Sequence, residues 1–361
     1  MTRLRDDSLQ TMGNGTELIV TNMHRNFTGV SATAAAVVRK QAERYKMQLA
    51  GGILPQCPEP ISFRQALKLS RQPAEGRKHV LWHVRRNNEM RAALWARDVL
   101  RLPVRIVFTS SAQRRHSFFP RWLISRMDAV IATTQEAAAL VPNVRAVVHH
   151  GVDTDRFRPP QDRDTAWRQT GYPGRLGIAT IGRIRPEKGT DVFVDAMIRL
   201  LPDIPDATAL IVGKAMAAHR PFKTELQGRI EAAGLSQRII FTDEVAAANL
   251  PGLVAGLSLL VAAPRYEGYG MTPLEAMASG VPIVATDAGF FSSFIGDNKA
   301  GVVVEKPDAE DLTAAARSLL DNPMELALKS SNARNRAVEN FAIKGEVDGI
   351  HEVYEELWGN R

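Results

Sequence analysis

Short β-branched runs alternate with segments of helical spacing along the first half of the chain. The strand-like runs are 17–23 (ELIVTNM), 79–84 (HVLWHV), 104–110 (VRIVFTS), 128–134 (DAVIATT) and 144–150 (VRAVVHH). Apolar positions at helical spacing lie between them, for example at residues 30–46 and 88–100. This alternation predicts a series of β-α units.

A second series of apolar runs begins after a proline-rich stretch at residues 158–160. Its strand-like runs are 175–183, 206–213, 237–243, 257–263, 281–286 and 300–305. They are almost continuously apolar, as expected of parallel strands that are buried on both faces. The sequence therefore predicts an α/β protein with two doubly wound, Rossmann-like domains. The predicted bounds are 1–158 for the N-terminal domain, 159–340 for the C-terminal domain and 341–361 for a last helix that packs back across the domain cleft.

Length and composition agree with two ordinary folded domains. The chain has 361 residues, of which 45% are hydrophobic, enough for two cores. Cys57 is the only cysteine, so an internal disulfide and a cysteine-rich zinc site are excluded. The longest nearly uncharged stretch, 249–264, is too short to span a bilayer, and the N-terminus lacks the apolar core of a secretory signal. We therefore expect a cytoplasmic protein.

The net charge of +7 hides an asymmetry between the two halves. Residues 1–158 carry 25 Lys and Arg against 12 Asp and Glu, a net charge of +13, whereas the remaining residues carry 21 against 27, a net charge of −6. A cationic half indicates an acidic partner: a nucleic acid, an anionic lipid surface or an acidic substrate. The alternative is an arginine-rich surface that is merely solvated.

Several familiar motifs are missing. No G-x-G-x-x-G follows the first strand of either half, and residues 177–184 have the glycine spacing of a P-loop without its Lys and Ser/Thr. Asp153 and Asp155 form a D-x-D, in which paired carboxylates suit a hard cation. Because these residues lie where an interdomain loop is expected, we favour a linker and predict no bound metal.

The most informative segment is 264–286, PRYEGYGMTPLEAMASGVPIVAT. Glu267 and Glu275 frame a glycine-rich turn that follows a strand and precedes a helix. The N-terminus of such a helix offers N–H groups and a positive dipole end to phosphate oxygens. Glu275, on the first helical turn, could accept hydrogen bonds from ribose hydroxyls, and Glu267 lies at the carboxyl end of a strand, where ligands bind in open α/β sheets. The alternative is that Glu275 only complements the helix dipole and Glu267 is solvated.

A second segment, 180–190 (TIGRIRPEKGT), carries Arg183 and Lys188 in the loop after a strand. Two cations at the carboxyl end of a strand can clamp a diphosphate. Ordinary loop charge is the alternative, but the glycine-rich segment also indicates a phosphate partner and so favours the diphosphate.

These segments resemble the family 4 retaining glycosyltransferases of the GT-B fold, in which two Rossmann-like domains face a cleft. The resemblance rests on EGYGMTPLE followed by AMASGVPIVAT, on GRIRPEKGTDVFVDA followed by ALIVGKA, and on HHGVDTDRFRP. It covers roughly residues 150–330. In the N-terminal half, the segments WHVRRNNEMRAALWARDVL and FTSSAQRRHSFFPRWLISRMDAVIATT are similar to the lipopolysaccharide-core mannosyltransferases of Gram-negative bacteria.

The resemblance implies a role for each matching position. Arg183 and Lys188 match the cations that hold the donor diphosphate. Glu267 matches the first glutamate of the family's pair, beside the donor sugar, and Glu275 matches the second, which binds the nucleotide ribose. The backbone expected to meet the sugar and phosphates belongs to Tyr269, Gly270, Met271 and Thr272.

Two further matches lie in the N-terminal half. Gly29 matches a glycine loop near the diphosphate, although the family often has two adjacent glycines and here Thr28 precedes a single one. His83, at the end of a predicted strand, matches a histidine that commonly touches the donor sugar. A lone histidine at a strand end is as often a structural residue. The catalytic residues implied by the resemblance are His83, Arg183, Lys188 and Glu267.

The resemblance implies a hexosyltransferase that moves mannose from GDP-mannose to the Kdo region of the lipopolysaccharide inner core. Since the leaving diphosphate is already acidic, cations and helix N–H groups can stabilise the transition state without a metal or other cofactor. Another donor such as UDP-glucose, or another polysaccharide acceptor, stays open. A basic nucleic-acid-binding protein is disfavoured, because Glu267 and Glu275 would repel a polyanion and no recognised nucleic-acid module is present.

The cationic N-terminal domain is expected to hold an acidic, lipid-linked acceptor and to contact the inner face of the cytoplasmic membrane peripherally. Aromatic and basic residues together suit an anionic interface. The aromatic candidates are Phe118, Phe119 and Trp122. The basic candidates are Arg85, Arg86, Arg114, Arg115 and Arg121. The alternative is partial core packing of the aromatic rings beside solvated arginines.

Overall fold

The computed structural model describes residues 15–24 and 29–359. Contacts divide the chain into two units. One unit holds the described residues up to His149 together with the segment from Glu346 onward, and the other runs from His150 to Gly345. Each unit is built on its own parallel sheet.

The first unit contains a six-stranded parallel sheet in the order β2-β1-β3-β4-β5-β6. Its strands are β1 (Leu18–Asn22), β2 (Met47–Gly51), β3 (Val80–Val84), β4 (Val104–Ser110), β5 (Ala129–Ala132) and β6 (Val144–Val147). The order reverses at β1, because β2 pairs on one side of it and β3 on the other. This is the doubly wound arrangement predicted from the alternating pattern.

In the described part of this unit, five helices connect these strands. They are α1 (Gly29–Ala42), α2 (Phe63–Leu69), α3 (Asn87–Leu94), α4 (Phe118–Ser125) and α5 (Gln135–Ala138). A π-helical turn, Trp95–Val99, continues α3. Side chains fix some of the ends: Ser62 and Gln65 form a capping box at α2, and Thr134 caps α5.

The second unit repeats the plan with the sheet order β12-β11-β10-β7-β8-β9. Its strands are β7 (Leu176–Ile181), β8 (Ala207–Val212), β9 (Ile239–Asp243), β10 (Leu257–Ala262), β11 (Ile283–Thr286) and β12 (Gly301–Val304). The side chains of successive residues lie on opposite faces of the sheet. Leu260 belongs to the hydrophobic cluster on one face, and its neighbour Leu259 belongs to the cluster on the other. Burial on both faces explains the continuous apolar runs.

Eight helices flank the second sheet. They are α6 (Arg163–Gln169), α7 (Thr190–Leu200), α8 (Arg220–Ala232), α9 (Leu250–Gly256), α10 (Met271–Ala278), α11 (Phe291–Ile295), α12 (Ala309–Leu320) and α13 (Pro323–Asn340). A hydrophobic core lies between each face of the sheet and its helices. Phe193 is fully buried in one core and Phe294 in the other.

The last helix, α14 (Ile343–Trp358), joins the first unit from Glu346 onward. Tyr354 is fully buried there, and the Trp358 indole donates to the carbonyl of His79 at 3.0 Å. Nowhere along residues 15–24 and 29–359 does a helix combine the length and the apolarity needed to cross a bilayer.

The division between the units precedes the proline-rich stretch at which the sequence suggested it. Residues 150–158 belong to the second unit. The N–H of Val152 donates to the carbonyl of Phe341 at 2.8 Å, the N–H of Ile343 donates back to Val152 at 2.8 Å, and Phe157 lies in the core. These contacts, rather than the prolines, fix where the segment packs.

Candidate active site

The glycine-rich turn ends at the N-terminus of α10, as the sequence predicted. Gly270 occupies the N-cap position with φ of +88°, in the left-handed region that favours glycine. A Cβ at this position would lie 2.1 Å from Cε1 of Phe291, whose ring is itself buried. Met271 and Thr272 form the half-buried first turn of the helix, and no side chain caps it. Its first N–H groups have no intrahelical acceptors and can meet a ligand oxygen.

Replacing Gly270 with alanine should destabilise the second unit by about 2–4 kcal/mol, because a left-handed φ and a clash with a core ring add. Thermal or urea unfolding measures the loss. The matched control is Gly252→Ala in α9, where an added Cβ meets nothing within 4 Å and φ is not positive. That variant should gain up to about 1 kcal/mol, as helical glycine-to-alanine changes do. Equal stability of the two variants would contradict the packing described here.

Lys188 and Glu267, predicted from separate segments, form one ion pair. Lys188 Nζ lies 2.5 Å from Glu267 Oε2, and Glu267 Oε1 accepts from the N–H of Gly268 at 2.9 Å. Lys188 ends a 3-10 turn (Pro186–Lys188) after β7, and Glu267 follows β10, the neighbouring strand. A diphosphate that binds Lys188 would compete with Glu267 for the ammonium.

Close packing of these two loops brings the pair together. Gly189, with φ of +66°, approaches the loop after β10 so closely that a Cβ would lie 1.7 Å from the carbonyl oxygen of Ala263. Arg265 forms a two-pronged bond to Asp191, with N–O distances of 2.8 and 2.7 Å. This ion pair could not be predicted from the sequence, because the separation between residues 191 and 265 carries no local signal.

The pKa of Glu275 is strongly perturbed. It is the fifth residue of α10 and so begins the second turn, not the first turn predicted. Its carboxylate accepts no hydrogen bond from any residue in the described ranges. Burial raises the pKa of the Glu275 carboxyl to about 7, although the nearby Arg156 lowers it. A buried carboxylate without a donor is ready to accept hydrogen bonds from a ligand.

Arg183 and Tyr269 differ in how they are placed. Arg183 is exposed after β7 and forms no ion pair with the described part of the chain, so its guanidinium is accessible to an anion. The Tyr269 ring is buried, its hydroxyl donates to the carbonyl of His150 at 2.8 Å, and it stacks on Phe290 with ring centroids 5.3 Å apart. Only the backbone of Tyr269 therefore remains for a ligand, and its contact with the sugar and phosphates stays a prediction.

The N-terminal glycine match is only partly described. Gly29 is the first residue of α1 and is exposed, and an added Cβ would meet no described atom within 4 Å. Thr28, which distinguishes this segment from the family pattern, lies outside the described residues. Packing against the described part of the chain thus gives no reason for a glycine at this position.

His83 lies in a fully buried network of hydrogen bonds in the first unit. Its Nδ1 is 2.5 Å from the hydroxyl of Tyr354, which also accepts from Gln41 at 3.1 Å, and its Nε2 is 2.7 Å from the hydroxyl of Thr109. Burial, with a contribution from Arg85, holds the pKa of His83 well below its usual range, so the ring is neutral. Both ring nitrogens are engaged, so a direct sugar contact would break one of these bonds. The geometry favours the structural alternative for His83.

The predicted surface cluster divides into two groups. Arg114, Arg115 and Arg121 are exposed, as predicted, and so are the aromatic rings of this segment. Phe118 is 84% exposed, which excludes core packing for this ring. The exposed aromatic residues are Phe118, Phe119 and Trp122.

The prediction that both residues belong to an exposed surface is wrong for Arg86 and only partly right for Arg85. Arg86 is half-buried: it pairs with the fully buried Glu89 at 3.0 Å and donates to Ser31 at 2.9 Å. Arg85 is mostly buried at the end of β3. Glu89 was not among the predicted site residues, although its spacing of three residues from Arg86, at the start of α3, was an available signal.

Asp153 and Asp155 fit the linker interpretation in part. One carboxylate oxygen of Asp153 accepts from the N–H of Arg156 at 3.1 Å, within a turn. Within residues 15–24 and 29–359, no group of three or more His, Cys, Asp or Glu side chains is placed to hold a metal.

Comparison with known proteins follows the same segments. A family model described as glycosyl transferases group 1 matches residues 164–340. The lipopolysaccharide core biosynthesis mannosyltransferase LpsB of Rhizobium meliloti is 43% identical over 94% of this chain and 97% of its own. The chain belongs to the group 1 glycosyltransferase family. It is an enzyme, and the predicted resemblance to lipopolysaccharide-core mannosyltransferases is confirmed.

Two further comparisons agree with this assignment and with the fold. The lipopolysaccharide core biosynthesis mannosyltransferase LpcC of Rhizobium leguminosarum bv. viciae is 40% identical over 95% of this chain and 97% of its own. Anabaena Alr3699/HepE, solved with UDP and glucose, superposes with a TM-score of 0.79 over 94% of this chain and all of its own. Because that identity is only 18%, the likeness shows the fold alone. The predicted GT-B fold is confirmed.

Proposed function

We propose that this group 1 glycosyltransferase transfers mannose from GDP-mannose to the Kdo region of the lipopolysaccharide inner core, with retention of the anomeric configuration. Two relatives that match nearly the whole chain bear the name of lipopolysaccharide core mannosyltransferases. A third, 32% identical over 62% of this chain, is named a GDP-mannose-dependent mannosyltransferase. The observation that carries the proposal is the arrangement of Lys188, Glu267 and Glu275 around the N-terminus of α10.

The donor's diphosphate is assigned to Arg183, Lys188 and the first turn of α10. Negative charge grows on the leaving phosphate as the sugar–oxygen bond breaks, so these positive groups stabilise the transition state more than the ground state. Lys188 then exchanges Glu267 for phosphate oxygens, which frees the Glu267 carboxylate for the donor sugar. Glu275 accepts hydrogen bonds from the ribose hydroxyls.

The reaction needs no general base from the protein. The bond from mannose C1 to the phosphate oxygen breaks, and a bond from C1 to the acceptor oxygen forms on the same face. The acceptor's proton moves to the departing phosphate, and GDP is the second product. His83, neutral and fully hydrogen-bonded, takes no part in this proton transfer.

The exposed segment around α4 is assigned to the lipid-linked acceptor and the membrane. Phe118, Phe119 and Trp122 project from this short helix beside exposed arginines. Trp95 and Val99 of the π-helical turn are also exposed, and Arg126 after α4 reaches Asp98 of that turn at 3.3 Å. Apolar rings that can enter the lipid and cations that bind acidic headgroups are the features of a peripheral interface.

A nucleotide-sugar screen by thermal shift tests the donor assignment. A ligand that binds only the folded state raises the melting temperature, and at equal concentration the tighter ligand gives the larger shift. We expect GDP and GDP-mannose to give the largest shift, and UDP, UDP-glucose and ADP to give little. A larger shift with UDP-glucose would make UDP-glucose the proposed donor, and the proposed donor site would stay the same.

Transfer should survive chelation by EDTA, because Arg183, Lys188 and the α10 N-terminus already supply positive charge at the leaving diphosphate. The measurement compares initial rates with EDTA, without it and with added Mg²⁺ or Mn²⁺. Loss of turnover that a divalent cation restores would contradict this prediction. Asp153 and Asp155 would then be the candidate metal ligands.

A further inference from the structure

Arg85 is a mostly buried cation that lies near acidic groups without forming an ion pair with any described one. It follows β3, and its backbone N–H donates to Glu89 Oε2 at 2.8 Å. Its guanidinium forms no hydrogen bond or ion pair with the residues that the structure describes, and Nη1 is buried without an acceptor. Burial lowers the pKa of Arg85, an effect that the nearby Tyr354, Glu89 and Glu346 oppose only in part.

Other buried arginines of this chain show what a structural role looks like. The guanidinium of Arg163 is also largely buried, and it donates to four backbone carbonyls. Those carbonyls belong to Ala255, Leu257, Ser279 and Gly280. A buried charge left unpaired destabilises a fold, and one physical reason for such a group is a ligand that completes it.

The carboxylate of Glu89, one of two near Arg85, forms no ion pair with the guanidinium, and both of its oxygens are already engaged. Glu89 Oε1 accepts from Met23 N–H and Arg86, each at 3.0 Å. Glu89 Oε2 accepts from the Thr21 hydroxyl at 3.0 Å and from the Arg85 N–H. The guanidinium of Arg85 therefore lies near a carboxylate whose two oxygens already accept hydrogen bonds from other groups.

A second unpaired polar atom lies at the same edge of the sheet. Ser110 ends β4, which pairs with β3 so that Val84 lies opposite Phe108. The Ser110 hydroxyl is buried and has no hydrogen-bond partner. The carboxyl ends of adjacent parallel strands thus carry two independent polar groups without partners, at the edge where open α/β sheets bind ligands.

We propose that Arg85 anchors an anion-binding subsite in the first unit, which takes a carboxylate or phosphate oxygen of a substrate. A planar guanidinium binds either group with paired hydrogen bonds. The inference deepens the proposed function, on which it rests, because both the acid sugar of the acceptor and the donor diphosphate supply such an oxygen. Arg85 then recognises substrate within the fold rather than on the membrane surface.

The first test needs no turnover. Thermal shifts with sodium gluconate, a sugar acid, and with inorganic pyrophosphate are compared at constant ionic strength for the wild type, Arg85→Gln, Arg85→Lys and the control Arg64→Gln. Arg64 is an exposed arginine of the same unit. We expect Arg85→Gln to weaken binding of at least one anion by tenfold or more, Arg85→Lys to weaken it less, and Arg64→Gln to match the wild type.

The melting temperature without ligand distinguishes a ligand-binding role of Arg85 from a structural role. Arg85→Gln should melt at or above the wild-type temperature, whereas Arg163→Gln, which loses four carbonyl partners, should melt several degrees lower. Undiminished anion shifts in Arg85→Gln, or a melting temperature as low as that of Arg163→Gln, would overturn the proposal.

Kinetic constants then distinguish the two sources of the anion. A tenfold rise in acceptor KM with unchanged GDP affinity assigns Arg85 to the acceptor's acid group. A tenfold loss of GDP affinity with unchanged acceptor KM assigns it to the donor. If transfer itself fails with every acceptor, the anion shifts still decide whether the subsite exists.

Discussion

Glu275→Gln should lower mannosyl transfer at least tenfold while raising the melting temperature above pH 7. The activity falls because an amide is a weaker acceptor for ribose hydroxyls than a carboxylate, and a tenfold loss corresponds to about 1.4 kcal/mol of transition-state binding. The stability rises because the variant removes a largely buried charge that the nearby Arg156 compensates only in part. Initial rates and thermal unfolding of the same preparation measure both effects.

The sign of the pH dependence follows from the raised pKa of Glu275, about 7 in the folded protein. A carboxyl whose pKa is raised on folding contributes its full stability below its unfolded pKa, about 4.3, and loses it as pH rises through 7. Glu275→Gln should therefore match the wild type near pH 4 and exceed it at pH 8 by about 1–3 kcal/mol. Donor affinity of the wild type should fall below pH 7, as protonation removes the acceptor.

Lys188→Ala is the companion variant, and it should differ from Glu275→Gln in its effect on stability. It should also lower transfer at least tenfold, because the leaving diphosphate loses a cation. It should not raise stability at pH 8, since it breaks the pair with Glu267. Near-normal activity in both variants would remove the donor-site assignment.

Reversing Arg114 and Arg115 to glutamate should weaken vesicle binding and raise the acceptor KM while leaving GDP affinity unchanged. Each basic residue near an anionic surface contributes about 1 kcal/mol, so two reversals cost roughly 2–4 kcal/mol in low salt. That is a loss of at least roughly thirtyfold in vesicle affinity, smaller in high salt because screening shortens the range of the attraction. Co-sedimentation with vesicles containing phosphatidylglycerol, at two ionic strengths, measures it.

The matched control keeps the same change in net charge. Arg64→Glu with Arg71→Glu reverses two exposed arginines of the same unit, near α2. This variant should retain most of the vesicle binding if the segment around α4 is the contact. Equal losses in both double variants would show that overall charge, rather than this segment, controls the interaction.

The sequence predicted the donor half well because its signals are local. Continuous apolar runs marked every strand of the second sheet, and a glycine-rich turn between a strand and a helix placed Glu267 and the start of α10. Both features depend on neighbours within a few residues. The contact between Lys188 and Glu267 spans 79 residues and needed the order of the strands, which no periodicity encodes.

Burial of the polar residues could not be predicted in the same way. Arg85 and Arg86 are adjacent arginines that read as a surface pair, yet Arg86 is anchored by a carboxylate from α3. His83 was weighed as a ligand contact or a structural residue, and the choice depends on Tyr354, which reaches it from a helix 271 residues away. Such partners become visible only when distant segments are brought together.

Product analysis of a single reaction tests the central claim most directly. The purified protein is incubated with GDP-mannose and a Kdo-bearing lipid acceptor, with UDP-glucose in a parallel reaction and Glu275→Gln as the control. Mass spectrometry and NMR of the product should show one added mannose, in the α configuration of the donor, and much less product from the variant. Transfer from UDP-glucose alone, a β-linked product or a fully active variant would contradict the account.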